Sequence, residues 1–280
     1  MPEGPEARIV ADKLRPYLVG RSITSFYKGD RAKTLGFHNL KCPAGIIWVR
    51  SYGKKVILDL DTSHMIIISL GMAGRLQYTA GNHSHVRFDI SDCTINGPFK
   101  IMKPALSLYF DDSRYMGSVD VIPNSGVPLY FKDLGPDLLE AALYETTWIP
   151  FDKWKAIFTQ KKLQKRLICN VLLDQSLVAG IGNYLRAEIL YYAAIHPERL
   201  VESITQDEWE RLRLSAHKVI LLAYSYRGFT IESFISPDGE YGVYPAAVYG
   251  KPYDPSGNPV LCQDVKGHGQ KIHWVPAIQK

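Results

Sequence analysis

The sequence predicts an α+β protein of two domains: a mostly β first half entered through a helix, and a helical second half ending in a short β tail. Three observations carry this. Short β-rich runs separated by Gly, Asn, Asp and Pro fill residues 23–134, helical periodicity dominates from there to Ala223, and a stretch rich in Gly, Pro and Tyr follows Gly228. At 280 residues with 46% hydrophobic side chains, the chain has enough apolar material for two cores.

The entry helix is read from Val10, Leu14, Tyr17 and Leu18, with Pro16 and Gly20 as its stop. The β half is read from Ile46–Val49, Val56–Leu60, Met65–Leu70, His85–Ile90 and Leu106–Phe110, spaced as in a sandwich or barrel. The texture changes over Phe131–Asp137, which sets domains at residues 1–131 and 132–240. Residues 241–280 are too few for a core of their own and are expected to pack as a hairpin on the helices. The helical part holds a basic cluster of Lys153, Lys155, Lys161, Lys162, Lys165 and Arg166, the pattern of a solvated helix face.

No apolar run approaches the length of a bilayer span, the nearest being Met65–Ile68, and no charged-then-apolar leader opens the chain. A non-membrane, non-secreted monomer is expected. Cys42, Cys93, Cys169 and Cys262 stand singly, which fits a reducing intracellular compartment and offers no metal spacing. A formal charge of +5 permits a polyanionic partner without demanding one.

Chemistry enters at Met1-Pro2-Glu3-Gly4-Pro5-Glu6. Removal of Met1 leaves Pro2 as a secondary amine, and α-amino groups titrate near ~8, against ~10.4 for lysine, so much of it is unprotonated and nucleophilic at neutral pH. Met-Pro is also an ordinary way to begin a protein. The second informative stretch is Leu172–Leu190. Its glycines, Gly180 and Gly182, permit a turn, and Asn183 is placed to cap a helix running to about Ala193. Such a helix start offers free N–H groups and a positive dipole end to a phosphate.

Both stretches resemble the formamidopyrimidine-DNA glycosylase and endonuclease VIII family, with the endonuclease VIII branch nearer. Gly53-Lys54, Leu70–Gly74, His83–Val86, Leu134-Gly135-Pro136, His196-Pro197 and Val248-Tyr249-Gly250 extend the resemblance over nearly the whole chain. It implies a β-sandwich with an N-terminal helix, a helical domain with a helix-two-turns-helix element, and a β-hairpin finger. The implied activity is removal of oxidised bases from damaged DNA, pyrimidines favoured and ring-opened purines or hydantoins also accepted, followed by strand cleavage. No cofactor is implied.

The resemblance also assigns residues. Pro2 matches the nucleophile, Glu3 the proton-shuttling acid, Glu6 a supporting carboxylate and Lys54 a phosphate-contacting lysine. Gly182 and Asn183 match the phosphate-binding helix start, and Met72 the wedge that fills the space of an extruded base. A second wedge loop matches Asp111–Tyr115, where the resemblance implies two arginines and a phenylalanine; Arg114 remains, but Ser113 stands for the first arginine and Tyr115 for the phenylalanine, weakening the case for strict reading of an opposite cytosine. Only Cys262 follows Tyr249, so four-thiolate zinc coordination cannot form, and the tail resembles a zincless finger. Gln270 is the position that aligns with the finger arginine, with Lys271 beside it; a weaker natural donor, an alignment slipped by one residue and a substituted arginine are all open readings. Ser113 and Gln270 motivate the alternative, a binder of damaged or abasic DNA with little catalysis.

Overall fold

The computed structural model describes residues 2–95, 101–144, 146–229, 234–265 and 268–280. Two compact units divide the chain, one of Met1–Pro2, Glu6–Lys132 and Thr230–Gly242, the other of Glu3–Pro5, Asp133–Phe229 and Val243–Lys280.

Helix α1 (Gly4–Leu18) belongs to the first unit from Glu6 onward. Its apolar stripe buries Val10, Leu14 and Leu18 completely or nearly so. The helix runs through Pro16, contrary to the expected stop. A proline in the last turn forfeits one backbone bond, and burial of Leu14 and Leu18 on either side outweighs it. The chain turns instead at Gly20, whose φ of 79° is left-handed.

Among the described residues ten strands follow: β1 (Ser22–Lys28), β2 (Ala44–Tyr52), β3 (Lys55–Leu60), β4 (His64–Ser69), β5 (Arg75–Gln77), β6 (Ser84–Ile90), β7 (Cys93–Ile95), β8 (Ile101–Lys103), β9 (Leu106–Asp111) and β10 (Ser118–Pro123). Eight form the sheet β10-β4-β3-β2-β1-β6-β9-β5, and β7 pairs with β8. β1 and β2 share only the pairs Ser22↔Gly45 and Ile23↔Ala44, so the sheet folds there into the two layers of a β-sandwich. Val56-Ile57-Leu58 and Ile66-Ile67-Ile68 are continuous apolar runs because both of their faces are covered. Ile57, Ile67 and Ile122 carry Val127, Tyr130 and Phe131 of helix α2 (Val127–Phe131).

The second unit contains α3 (Leu138–Leu143), α4 (Phe151–Phe158), α5 (Ile168–Val171), α6 (Asn183–Ala193), α7 (Gln206–Ser225) and the hairpin of β11 (Leu261–Val265) and β12 (His268–Trp274). Asp137 caps α3 through the Leu139 and Glu140 amides, and Thr205 with Glu208 forms a capping box on α7. Between α5 and α6 the chain makes two turns tied by one side chain. Gln175 donates to Leu173 O and Ile181 O and accepts from Gly180 N at 3.0 Å. α5, these turns and α6 make the helix-two-turns-helix element.

α6 is buried nearly all round, and its charged residues reach outward to backbone rather than to water. Glu188, fully buried, accepts from the backbone N–H groups of Ala247, Val248 and Tyr249 at 2.8, 2.9 and 2.9 Å and from the Tyr244 hydroxyl at 3.2 Å. This fixes the chain that leads into the hairpin. Glu188→Ala is expected to strand those donors and lower the unfolding free energy by about 3 kcal/mol or more in urea titrations. Wild-type stability would show that Glu188 does not hold this segment.

Candidate active site and nucleic-acid interface

In the second unit, Glu3 is 2% exposed and sits at the start of α6. Its carboxylate accepts from Gly182 N at 2.6 Å, Tyr184 N at 3.0 Å and Leu185 N at 3.3 Å. Gly182 is required by this fit, because a Cβ there would lie 2.2 Å from Glu3 Cδ. Gly4 continues the contact, donating its N–H to Gly180 O at 2.9 Å.

This corrects the reading of the helix start. Gly182, not Asn183, is the N-cap, and it supplies no side chain. The expected set of open N–H groups is largely filled by the protein's own carboxylate, which satisfies the orphan donors and the helix dipole together. Asn183 is left with its side chain as the polar feature of the first turn. Its Oδ1 accepts from Arg186 Nη2, and its Nδ2 lies 3.5 Å from the Tyr249 hydroxyl.

Gln270 and Lys271 are exposed on β12. The hairpin register runs from Leu261↔Trp274 to Asp264↔Lys271 and then shifts to Val265↔His268, so Gly269 and Gln270 bulge out of the ladder. Cys262 is the single cysteine of this stretch, so the four-thiolate set does not fit. Among the described residues no group of three or more His, Cys, Asp or Glu could hold a metal ion. Two side chains close the turns instead. Asp254 accepts from Ser256 N, Asn258 N, Asn258 Nδ2 and the Tyr191 hydroxyl at 2.9, 2.7, 2.9 and 3.2 Å. Gln279 accepts from Val275 N at 2.7 Å and donates to Ile195 O at 3.0 Å.

In the first unit, Pro2 is buried and Glu6 is fully buried in the first turn of α1. Gly53 and Lys54 form the two-residue turn of the β2–β3 hairpin, Gly53 with φ 56°. Lys55 has another place: its Nζ lies 5.3 Å from the Tyr130 ring centroid, and burial lowers its pKa. The Tyr130 hydroxyl in turn donates to Asp120 at 2.6 Å.

The loops carrying Met72 and Arg114 meet. Gly71 has φ 61°, and a Cβ on it would lie 2.6 Å from Gly117 N, so the loops before β5 and β10 lie against each other. Buried Asp112 holds the second loop by accepting from the Arg114, Met116 and Gly117 amides at 3.0, 2.8 and 2.7 Å. Met72 is 37% exposed and is therefore no core plug; Arg114 Nη1 approaches its Sδ at 3.9 Å. Tyr115 stands between His85, with ring centroids 5.1 Å apart, and the Arg31 guanidinium, 5.6 Å from its centroid.

Sequence reasoning missed Arg186, Glu188, Asp112 and Asp254. The signal available for the first two was a pair of charges, Arg186 and Glu188, inside the otherwise apolar run Tyr184–Leu190.

The chain combines a buried N-terminal segment whose Glu3 closes a glycine-built helix start with a β-sandwich, a helix-two-turns-helix and a hairpin. A family model for the formamidopyrimidine-DNA glycosylase N-terminal domain matches residues 1–119, and one for the H2TH domain of the same enzymes matches residues 150–234. The formamidopyrimidine-DNA glycosylase of Pelotomaculum thermopropionicum is 30% identical over 299 residues, covering 100% of this chain and 99% of its own. That of Carboxydothermus hydrogenoformans is 28% identical over 295 residues, covering both chains fully at 100%. Among solved structures, the MutM (Fpg) protein of Thermus thermophilus superposes with a TM-score of 0.83 at 26% identity, over 99% of this chain and 98% of that one. Wild-type Lactococcus lactis Fpg in complex with DNA containing an oxidised pyrimidine gives 0.81 at 25% identity over 100% of both chains. The chain belongs to the formamidopyrimidine-DNA glycosylase and endonuclease VIII-like family, enzymes with DNA glycosylase and apurinic/apyrimidinic lyase activity.

Gly182→Ala is expected to drive the Glu3 carboxylate off the helix start, costing about 1–2 kcal/mol of stability, the usual worth of a lost cap. Hydrogen exchange at the Tyr184 and Leu185 amides should accelerate in parallel. Unchanged protection of both amides would contradict the capping role.

Proposed function

We propose that this chain is a bifunctional DNA glycosylase and apurinic/apyrimidinic lyase acting as a monomer on oxidised bases, pyrimidines favoured and ring-opened purines or hydantoins also accepted. The observation that carries the reading is the grip of Glu3 on the start of α6, which ties the residue after Pro2 to the helix bearing Asn183. Pro2, freed of Met1, attacks the deoxyribose C1′. The N–C1′ bond forms as the bond to the base breaks, and the proton lost by the amine is transferred to the departing base. Glu3, the acid beside the amine, protonates O4′ as the C1′–O4′ bond opens, which gives an iminium. Loss of the C2′ proton then expels the 3′ phosphate, loss of the C4′ proton expels the 5′ phosphate, and water hydrolyses the iminium to free the amine.

Lys54 and Asn183 are the proposed phosphate contacts, with Glu6 supporting the amine and Met72, Arg114 and Tyr115 filling the space of the extruded nucleotide. Such extrusion costs unstacking, which is least for a damaged base. The L. lactis structure with an oxidised pyrimidine supports the substrate class by analogy. Cys42, Cys93, Cys169 and Cys262 are all free thiols, which supports residence in a reducing intracellular compartment, and among the described residues no helix is long and apolar enough to cross a membrane. The second reading, a damaged-DNA binder with weak catalysis, rests on Ser113 and on exposed Gln270, aligned by resemblance with the finger arginine.

Borohydride trapping on DNA with an abasic site is expected to yield a covalent adduct that mass spectrometry maps to residue 2. An adduct of equal yield from protein carrying an uncleaved N-terminal extension would sink the Pro2 mechanism, and no adduct at all would favour the binding reading. Gln270→Arg is expected to tighten binding to an abasic-analogue duplex and to steepen the plot of log K against log salt by about 0.9, the effect of one added phosphate contact. An unaltered slope would place residue 270 away from the phosphates.

A further inference from the structure

Arg186 is the outlier of the helical unit. It is 0% exposed, its buried Nε has no partner, and burial lowers its pKa while Glu3 and other neighbours oppose that shift. Removing a guanidinium from water is expensive unless its donors are used in good geometry. Here Nη1 donates to Cys169 O at 3.4 Å, and Nη2 donates to both Asn183 Oδ1 and Lys271 O, the latter at 3.3 Å.

The chemistry of these partners decides an orientation. A guanidinium has no acceptor, so the amide atom of Asn183 that faces it must be the oxygen. The other end, Nδ2 with its two N–H groups, is thereby turned toward the Tyr249 hydroxyl, and at 3.5 Å that bond is weak enough to yield to a better acceptor. The same Nη2 holds the carbonyl of Lys271, the residue after bulged Gln270 on β12.

We propose that Arg186 is a positioning residue that fixes the Asn183 amide with its donors presented to a nucleic-acid phosphate and locks strand β12 to the same helix. Asn183 and the Gln270–Lys271 bulge then engage one DNA backbone as a unit. The inference rests on the reading of Asn183 as a DNA contact. It explains why a cation is buried among carbonyls: its value lies in orienting neighbours rather than in meeting DNA itself.

The test is a double-mutant cycle on binding of a duplex with a tetrahydrofuran abasic analogue, using Arg186→Met, Asn183→Ala and the pair. Arg186→Met is expected to weaken binding about tenfold, the worth of one well-placed hydrogen bond, and to add less than about twofold in the Asn183→Ala background. On damaged substrate the loss should fall on KM more than on kcat. In Arg186→Met the Asn183 side-chain amide NMR resonance should move to its random-coil position. Additive effects of the two substitutions, or an unmoved resonance, would overturn the positioning role. Wild-type affinity for Asn183→Ala alone would instead sink the DNA-contact reading beneath it. Should Arg186→Met fail to fold, Arg186→Lys serves, since a single ammonium lacks the planar fork that reaches Cys169 O through Nη1 while Nη2 holds Asn183 Oδ1 and Lys271 O. An intermediate loss, again non-additive with Asn183→Ala, is expected, and full affinity would overturn the proposal.

Discussion

The grip of the Glu3 carboxylate on the first turn of α6 is the constraint from which the rest of the arrangement follows. A helix start leaves backbone donors without partners, and a carboxylate there is worth up to ~2 kcal/mol through hydrogen bonding and the helix dipole. Chain termini ordinarily fray. This one is buried at Pro2 and Glu3 because the third residue completes an element that begins 179 positions away. A covalent neighbour of a fixed carboxylate has little freedom, so Pro2 is positioned in part by the fold.

α6 distributes that order through the second unit. Glu3 closes its first turn, Arg186 reaches β12, and Glu188 gathers the amides of Ala247, Val248 and Tyr249. Each side chain replaces water with directed backbone partners, the condition under which a buried charge is tolerated. Packing of Tyr184, Leu185, Ile189 and Leu190, all 0–1% exposed, fills the remaining faces. A helix of modest length thus serves as the spine on which turn, finger and N-terminus are hung.

Much of the fold was legible because local pattern and global burial agree. The β half is readable in Val56–Leu60 and Met65–Leu70, where two-sided burial leaves uninterrupted apolar runs, and the hairpin tail in a stretch too short for its own core. Pro16 and Asn183 were misread for one reason: a local rule was overridden by distant partners. The last turn of α1 is held by its buried leucines, and the cap of α6 comes from Glu3, which no window around Asn183 contains. Arg186 and Glu188 escaped because their partners are mainly backbone groups, which carry no sequence signature, and Asp254 because half of its partners are. Gly182 was chosen as a phosphate-site glycine, yet its lack of a side chain is required first by Glu3 Cδ.

The finger carries a different consequence. Asp254 and Gln279 perform with a carboxylate and an amide the turn-closing task that thiolates and a bound ion perform elsewhere. Thiolate sites are lost when sulfur climbs the oxidation ladder or when the ion is withdrawn. Oxygen and nitrogen hydrogen bonds answer to neither. The two turns that flank this hairpin are therefore closed by groups that neither withdrawal of an ion nor oxidation of a thiol removes.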